Sequence, residues 1–251
     1  MLAAVVRGIR RQGAIVRGAA IRTEVLIRGL LSRLRSGWRR RSAAAIFSEI
    51  YHTNFWGSPD SRSGAGSDLV QTAEVRRWLP DIVREIGARS MLDVPCGDFH
   101  WMREVELDLD YVGADVVNDL IARNQEFYGG QRRTFVVCDV IRQRPPQADL
   151  VFCRDLLVHF SYADIFAALR KIVTSGASYL VTTTFPGRSN FDIETGQWRP
   201  IDLQAPPFGL PAPVELLNEK CTEGGGDWSD KSLGLWRVAD VDAALRRPGN
   251  R

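Results

Sequence analysis

The sequence has few cysteines, no long apolar run and almost no acid in its first 41 residues. Its four cysteines show no metal-ligand spacing, which argues against a zinc module. No apolar run reaches the roughly 18 residues that a membrane-spanning helix needs. Cys96, Cys138 and Cys153 lie in predicted strands or in the turn after one, and Cys221 is the fourth. They are interpreted as buried thiols of a protein in a reducing, cytoplasmic compartment.

The length of 251 residues allows one α/β domain plus an extension, and 45% hydrophobic with 25% charged residues is typical of a soluble globular protein. The sequence predicts four segments. Residues 1–45 form a basic amphipathic helical extension, 46–84 a cap or lid, 85–240 the main domain and 241–251 a tail.

Positive charge is concentrated at the N-terminus. Residues 1–41 hold eleven arginines against one acid, Glu24, and so carry +10, which leaves −7 for the rest of a chain whose total is +3. An acidic main domain argues against nucleic acid as a substrate, because polyanions bind basic surfaces.

Four of the eleven arginines share one side of a helical wheel, and six aliphatic residues share another. The arginines are Arg10, Arg17, Arg28 and Arg35, and the aliphatic residues are Leu2, Ile9, Val16, Ile27, Leu31 and Leu34. This pattern predicts peripheral contact with the anionic inner face of a membrane. Packing on the protein body, packing on a second subunit and a transit peptide are the alternatives.

Three apolar runs in the main domain each end in an aspartate, at Asp93, Asp115 and Asp139. Parallel α/β sheets bind ligands beyond the carboxyl ends of their strands, so we expect the three carboxylates to lie along one sheet edge. Such a row suits a ligand with an amine, a ribose and an adenine amino group.

Glycine is scarce in the turn after the first of these strands. Gly97 is present, but Pro95 and Phe99 stand where glycines are common in nucleotide-binding turns. Asp98 lies where a pyrophosphate would be repelled, whereas a cationic ligand would not be. The turn therefore argues against a dinucleotide.

With these motifs, residues 85 to 240 resemble the class I S-adenosylmethionine-dependent methyltransferases. The resemblance implies a Rossmann-like three-layer α/β sandwich, with a seven-stranded, mostly parallel sheet whose last strand is antiparallel. It implies S-adenosylmethionine as the cofactor. Asp93 and Gly97 would hold its methionine end, Asp115 its ribose, and Asp139 with Val140 its adenine. The predicted cofactor site also includes Pro95, Asp98, Trp101 and Arg154.

In this family the methyl group lies beside the segment after the fourth strand, here Arg154 to Phe160. The segment lacks the Asn/Asp-Pro-Pro-aromatic turn of many enzymes that methylate exocyclic amines. It contains Asp155 and His159, which would share one face of a helical turn. A neutral imidazole with a pKa of about 6.5 is a suitable base for an alcohol, so we predict His159 as the catalytic base and Asp155 as its partner or the substrate's.

Two further segments are candidates for the acceptor site. Residues 54–67 combine glycines with Phe55 and Trp56, which is typical of a closing lid, and a helix follows from Ser67 or Asp68 until Pro80 interrupts it. Residues 186–213 form a long loop, and its Trp198, Arg199 and Asp202 suit a sugar.

The remaining elements complete the sheet. Ser161 with Asp164 predicts a capping box for a helix that Gly176 ends. Strands at 179–185, 214–217 and 233–238 follow.

The predicted function is O-methylation of a hydroxyl on a sugar, glycolipid or related small molecule. The alternatives are N- or C-methylation of a small metabolite and a non-catalytic, S-adenosylmethionine-binding adaptor that docks on membranes. No metal ion is required by the spacing of the acids, and the oligomeric state stays open.

Overall fold

A computed structural model describes residues 41–247 of the chain. The predicted basic amphipathic extension therefore lies outside the described residues as far as position 40. Seven strands form the sheet, namely β1 (Ser90–Asp93), β2 (Asp110–Asp115), β3 (Arg133–Val137), β4 (Leu150–Cys153), β5 (Tyr179–Thr184), β6 (Glu215–Asn218) and β7 (Ser232–Arg237).

Within residues 41–247 five α-helices accompany the strands. They are α1 (Ala43–Thr53), α2 (Ala73–Glu85), α3 (Asn118–Tyr128), α4 (Tyr162–Val173) and α5 (Val238–Leu245). Residues 43–45, which the sequence assigned to the extension, belong to the first turn of α1 because Ser42 caps that helix.

The strand order is β3-β2-β1-β4-β5-β7-β6. The first five strands in this order are parallel, and β7 runs antiparallel to both of its neighbours. Helix α3 connects β2 to β3, and α4 connects β4 to β5. Residues of α2 and α3 pack in one hydrophobic cluster and residues of α4 and α5 in the other, so helices cover both faces of the sheet. The predicted Rossmann-like fold with an antiparallel last strand is confirmed.

The central strand β4 shows why the sheet needs cover on both faces. Leu150 and Phe152 pack into one hydrophobic cluster and Val151 and Cys153 into the other, and all four are fully buried. Alternate residues of a strand point to opposite faces, so two buried faces require a continuous apolar run. The four cysteines are free and buried, as predicted.

Helix α2 differs from its prediction at both ends. Asp68 caps the turn before it by accepting from the backbone N–H groups of Val70 and Gln71, and the helix itself begins at Ala73. It then continues through Pro80 to Glu85. A proline inside a helix costs about 3 kcal/mol, and the buried apolar face of the helix, which includes Leu79, offsets that cost.

The cap of α4 also differs in part. Ser161 accepts from the backbone N–H of Asp164, as the capping box requires. The backbone N–H of Ser161, however, donates to Thr195 Oγ1, and the Asp164 carboxylate accepts from the same hydroxyl. The long loop thus supplies half of the cap. The helix ends at Val173, with Thr174 as its C-cap, rather than at Gly176.

The predicted tail is part of the domain. Helix α5 crosses position 240, and Val241, Ala244 and Leu245 are buried in the cluster that contains α4. Their apolar spacing gives α5 a face that packs against α4, so the domain extends at least to Leu245.

Candidate functional site

A cavity opens at the carboxyl ends of β1, β2 and β4. Eight of the nine predicted cofactor residues line it, namely Asp93, Pro95, Gly97, Asp98, Trp101, Asp115, Val140 and Arg154. Asp155, His159 and Trp56 line it as well. The topology therefore brings the predicted cofactor residues and the predicted catalytic pair to one site.

Asp93 is buried at the end of β1. The hydroxyl of Tyr111 donates a hydrogen bond of 2.6 Å to its Oδ2. Burial raises the pKa of Asp93 to about 7, and the hydrogen bond from Tyr111 opposes this shift in part. The charge of the nearby Asp115 disfavours the charged form of Asp93. A cation bound beside the two carboxylates would favour that charged form.

Asp115 ends β2 and is held by the backbone. Its Oδ2 accepts from the N–H of Gly97 at 3.3 Å, and its Oδ1 accepts from the N–H of Val117 at 3.1 Å. Burial raises its pKa to about 6, against the effect of these hydrogen bonds. Each carboxylate oxygen keeps a lone pair for a further donor.

The turn between β1 and the next segment depends on Gly97. Its φ is +52°, and its carbonyl oxygen accepts from Asn124 Nδ2 at 2.8 Å. Phe99 also has a positive φ of 60°, and its ring packs against Tyr111 and Phe135. The turn thus keeps a left-handed residue where other nucleotide-binding turns use glycine, and core packing stabilises it.

Asp139 is the predicted cofactor residue that does not line the cavity. Its Oδ1 accepts from the N–H of Ile141 in the following turn, while Cys138 and Val140 on either side of it face the cavity. The end of β3 therefore offers an apolar surface to a ligand, and the carboxylate of Asp139 stabilises the turn.

The predicted lid lies over the cofactor turn and is bound to it. Asp98 accepts from the hydroxyl of Ser61 at 2.9 Å and from the backbone N–H of Arg62 at 2.7 Å. Gly66 accepts from Arg154 through its carbonyl oxygen at 2.9 Å. Asp98 thus holds the lid, a role that the sequence did not indicate.

An ion cluster at the wall of the cavity joins the ends of β4 and β6 to β7. Arg154 forms a salt bridge with Glu219 at 2.6 Å, and Lys231 forms one with Asp155 at 2.6 Å. The two basic groups hold the pKa of Asp155 well below its usual value despite burial. Sequence reasoning missed Glu219 and Lys231, because they lie 65 and 76 residues from their partners.

Asp155 and His159 are not arranged as predicted. Asp155 has a φ of +57°, and a short 3₁₀ turn covers only Leu157–His159, so the two side chains do not share a face of an α-helix. The carboxylate of Asp155 accepts from Lys231 and Thr183. Asp155 therefore belongs to the ion cluster and does not orient the imidazole of His159 as predicted.

His159 is oriented by the long loop. Its Nδ1 lies 2.9 Å from the carbonyl oxygen of Gln197, so Nδ1 carries the proton and Nε2 carries the lone pair. Burial lowers its pKa to about 4, below the 6.5 expected from the sequence. The imidazole is therefore neutral at physiological pH.

The three predicted sugar-binding residues do not line the cavity. Arg199 is fully buried and donates to the carbonyl oxygens of Phe191, Leu157, Val158 and Phe160. It ties the long loop to the segment after β4.

Asp202 and Trp198 are also structural. Asp202 accepts from the N–H of Gly187, and Trp198 packs edge-to-face on Trp228 with ring centroids 4.6 Å apart. Their polar and aromatic character serves the packing of the loop, so the prediction of a sugar site on this loop loses its support.

Helix α1 supplies a wall that the sequence did not indicate. Ala43, Phe47, Ile50 and Tyr51 line the cavity opposite the strand ends. Their spacing of three and four residues places them on one helix face, which is the signal that could have revealed them.

Comparisons with known proteins identify the fold. No protein-family profile matches the chain, and no curated protein matches it in sequence. Among solved structures, the N-methyltransferase NodS from Bradyrhizobium japonicum WM9, in complex with S-adenosyl-l-homocysteine, matches with a TM-score of 0.52 at 15% identity. The match covers 75% of this chain and 97% of that one. This is the fold of the class I S-adenosylmethionine-dependent methyltransferases.

Two other methyltransferase structures match more loosely. The methyltransferase domain of bacterial CtHen1 has a TM-score of 0.49 at 12% identity, over 66% of this chain and 99% of that one. Magnesium protoporphyrin IX methyltransferase from Synechocystis PCC 6803, with bound SAM, has a TM-score of 0.43 at 14% identity, over 62% of this chain and 82% of that one. The NodS match, at 15% identity, shows the fold alone, and the reaction has to be argued from the site.

One structural finding bears on the membrane. Within residues 41–247 no helix combines the length and the apolar composition that crossing a bilayer requires.

Proposed function

We propose that the protein is an S-adenosylmethionine-dependent O-methyltransferase that acts on the hydroxyl group of a small molecule. One observation carries the proposal. The buried carboxylates Asp93 and Asp115 line the same cavity as His159, whose neutral imidazole keeps a lone pair on Nε2. The two carboxylates suit a cationic nucleoside, and the imidazole suits an acceptor hydroxyl that must lose a proton.

The cavity suits the cofactor in charge and in apolar surface. Burial raises the pKa of Asp93 to about 7 and that of Asp115 to about 6, and S-adenosylmethionine brings a sulfonium and an ammonium group that would favour the charged carboxylates. Val117, Leu120 and Val140 give the apolar surface that an adenine ring needs. The SAH bound to NodS, a protein of the same fold, supports this assignment.

Each residue then has a defined task. Asp115 accepts hydrogen bonds from the ribose hydroxyls, and Asp93 with the Gly97 turn holds the methionine end. The bound cofactor supplies a methyl carbon that is electrophilic because it is attached to a sulfonium. His159 Nε2 accepts the proton of the acceptor hydroxyl, and Gln197 keeps the ring in the tautomer that allows this. Catalysis otherwise depends on holding the reactants in line.

Asp115→Asn tests the cofactor site. Isothermal calorimetry should show S-adenosylhomocysteine binding weakened by roughly 5- to 100-fold, since a buried hydroxyl pair loses a charged acceptor. Asp119→Asn is the matched control, because Asp119 lies four residues away with an exposed side chain, and it should bind like the parent. Unchanged affinity in Asp115→Asn would refute the assignment.

For the N-terminal segment we propose docking on an anionic membrane surface. Replacing Arg10, Arg17, Arg28 and Arg35 by Gln in the full chain should abolish salt-sensitive binding to phosphatidylserine vesicles and leave S-adenosylhomocysteine binding intact. If the parent does not bind such vesicles, the segment is a packing or oligomerisation element instead.

A further inference from the structure

The cavity has two chemically different sides. The carboxylates of Asp93 and Asp115 lie on the side of β1 and β2. The opposite side is formed by α1, the lid and the segment after β4. It carries the aromatic rings of Phe47, Trp56 and Phe160, together with polar side chains of the lid such as Arg62 and Ser63. If the first side holds the cofactor, as proposed above, the second side receives the acceptor.

The aromatic side surrounds the imidazole of His159. The ring centroid of Trp56 lies 5.1 Å from that of His159 with an interplanar angle of 33°. Phe47 meets His159 edge-on at 6.3 Å and meets Phe160 at 6.1 Å. Rings arranged in this way offer both faces and edges to a planar ligand.

Two charged groups next to this side, Asp155 and Arg154, are already paired. The carboxylate of Asp155 accepts from Lys231 and Thr183, and the guanidinium of Arg154 donates to Glu219 and to the lid. A sugar presents hydroxyls around its whole ring, and each buried hydroxyl without a partner costs about 1 to 3 kcal/mol. His159 Nε2, in contrast, has no hydrogen-bond partner within residues 41–247, and so one hydroxyl can be received there.

We propose that the acceptor is a planar aromatic compound with an acidic hydroxyl, such as a phenol, which packs against Phe47 and Trp56 and directs its oxygen to His159 Nε2. This inference rests on the proposed function. In the transfer the acceptor oxygen bonds to the methyl carbon and its proton passes to Nε2. The electron pair of the broken carbon–sulfur bond stays on sulfur.

The low basicity of the His159 imidazole favours an acceptor whose hydroxyl is acidic. An imidazole whose pKa is lowered to about 4 is a weak base. A phenol, with a pKa of about 10, gives up its proton far more readily than an alcohol whose acidity is near that of water, about 15.7. General-base catalysis becomes less effective as this gap in pKa grows.

Binding of two probes to the complex of the protein with S-adenosylhomocysteine tests the inference. Calorimetry should show saturable binding of 2-naphthol, and at least 10-fold weaker binding of methyl glucoside, which has several hydroxyls and no aromatic ring. Equal or tighter binding of methyl glucoside would overturn the aromatic assignment.

Two variants locate the probe. Phe47→Leu and Trp56→Leu remove a ring but keep apolar character, and each should weaken 2-naphthol binding by about 2- to 10-fold. Phe127→Leu is the matched control, because Phe127 lies on α3 with 65% of its surface exposed, outside the cavity. Unchanged binding in both cavity variants would overturn the proposal.

The same titrations separate this inference from the proposed function. A parent protein that does not bind S-adenosylhomocysteine refutes the proposed function. A parent that binds it without saturable binding of 2-naphthol refutes only the acceptor class. Unaltered S-adenosylhomocysteine affinity in Phe47→Leu and Trp56→Leu shows that each variant is folded.

Discussion

The backbone of Gly97 lies directly against Ser63, so that a Cβ atom added to Gly97 would stand 2.2 Å from Ser63 Oγ. Gly97 belongs to the cofactor turn and Ser63 to the lid. Ser63 Oγ also accepts from the backbone N–H of Asp98 at 3.2 Å. A side chain at residue 97 would therefore displace Ser63 Oγ from its contact with the turn.

Gly97→Ala should displace the lid and weaken S-adenosylhomocysteine binding by about 10-fold or more, because the new methyl group occupies the place of Ser63 Oγ. Gly87→Ala is the matched control. Gly87 has a similar φ of +66° but nothing within 4 Å of the added Cβ, so it shares the backbone strain without the clash. Calorimetry measures the affinity of both variants for S-adenosylhomocysteine and so separates the effect of the clash with Ser63 from that of backbone strain. Equal affinities for the ligand would show that contact with Ser63 has no effect.

Asp93 predicts a pH dependence of stability. Its pKa is about 7 in the folded protein and 3.8 as the ordinary value. Between pH 4 and 7 the unfolded chain releases this proton while the folded protein keeps it, so the free energy of unfolding falls as pH rises through this window. Asp93→Asn removes the effect.

Urea unfolding of the parent and of Asp93→Asn at several pH values measures the contribution of Asp93 to the free energy of unfolding. The stability of the parent relative to the variant should decrease from pH 4.5 to pH 7 and stay constant above pH 7. Asp81→Asn, on the exposed side of α2, should show no such trend. A difference between parent and Asp93→Asn that is constant or that rises with pH would contradict the assigned pKa.

The ion cluster should matter for stability. Lys231→Met leaves the carboxylates of Asp155 and Glu219 with Arg154 as their sole cationic partner among residues 41–247, and unpaired buried charge is costly. We expect the free energy of unfolding to fall by about 3 kcal/mol.

Lys220→Met is the control, because the Lys220 side chain is 73% exposed in its pair with Glu74. Its effect should stay below about 1 kcal/mol. Denaturant unfolding of both variants tests this prediction. Equal losses in the free energy of unfolding would show that burial of the ion cluster does not affect stability.

The pKa of His159 predicts how the reaction responds to pH. Because burial lowers this pKa to about 4, the imidazole stays neutral from pH 8 down to about pH 5 and becomes protonated only below that. The rate of methyl transfer at saturating cofactor should therefore show no inflection near pH 6.5. A rate that falls about threefold between pH 7 and pH 6 would mean that the imidazole titrates at its ordinary pKa of 6.5.

The difference between sequence and structure lies in long-range packing. Strand ends and their acids were predictable, because Asp93 and Asp115 follow apolar runs whose period and length indicate parallel strands. Arg199 was misjudged, since a residue's type does not reveal that four carbonyl oxygens surround it. The ion pair of Asp155 with Lys231 joins positions 76 residues apart, and no local pattern predicts such a pair.

The same limit applied to the acceptor site. The aromatic residues of α1 follow a helical period that is typical of a core face, and burial alone distinguishes a core face from a cavity wall. Phe47 packs against both hydrophobic clusters and also lines the cavity. That double role depends on how α1 crosses the strand ends, which only the folded chain shows.

The central claim is that His159 removes the acceptor's proton, and His159→Asn tests it most directly. Asparagine can still donate to the carbonyl oxygen of Gln197 but cannot act as a base. His52→Asn, on the exposed face of α1, is the matched control. Single-turnover formation of S-adenosylhomocysteine with 2-naphthol should slow by about 10² to 10⁴ in His159→Asn, with cofactor affinity unchanged, and stay at the parental rate in His52→Asn. A near-parental rate in His159→Asn would contradict the claim and leave positioning of the reactants as the source of catalysis.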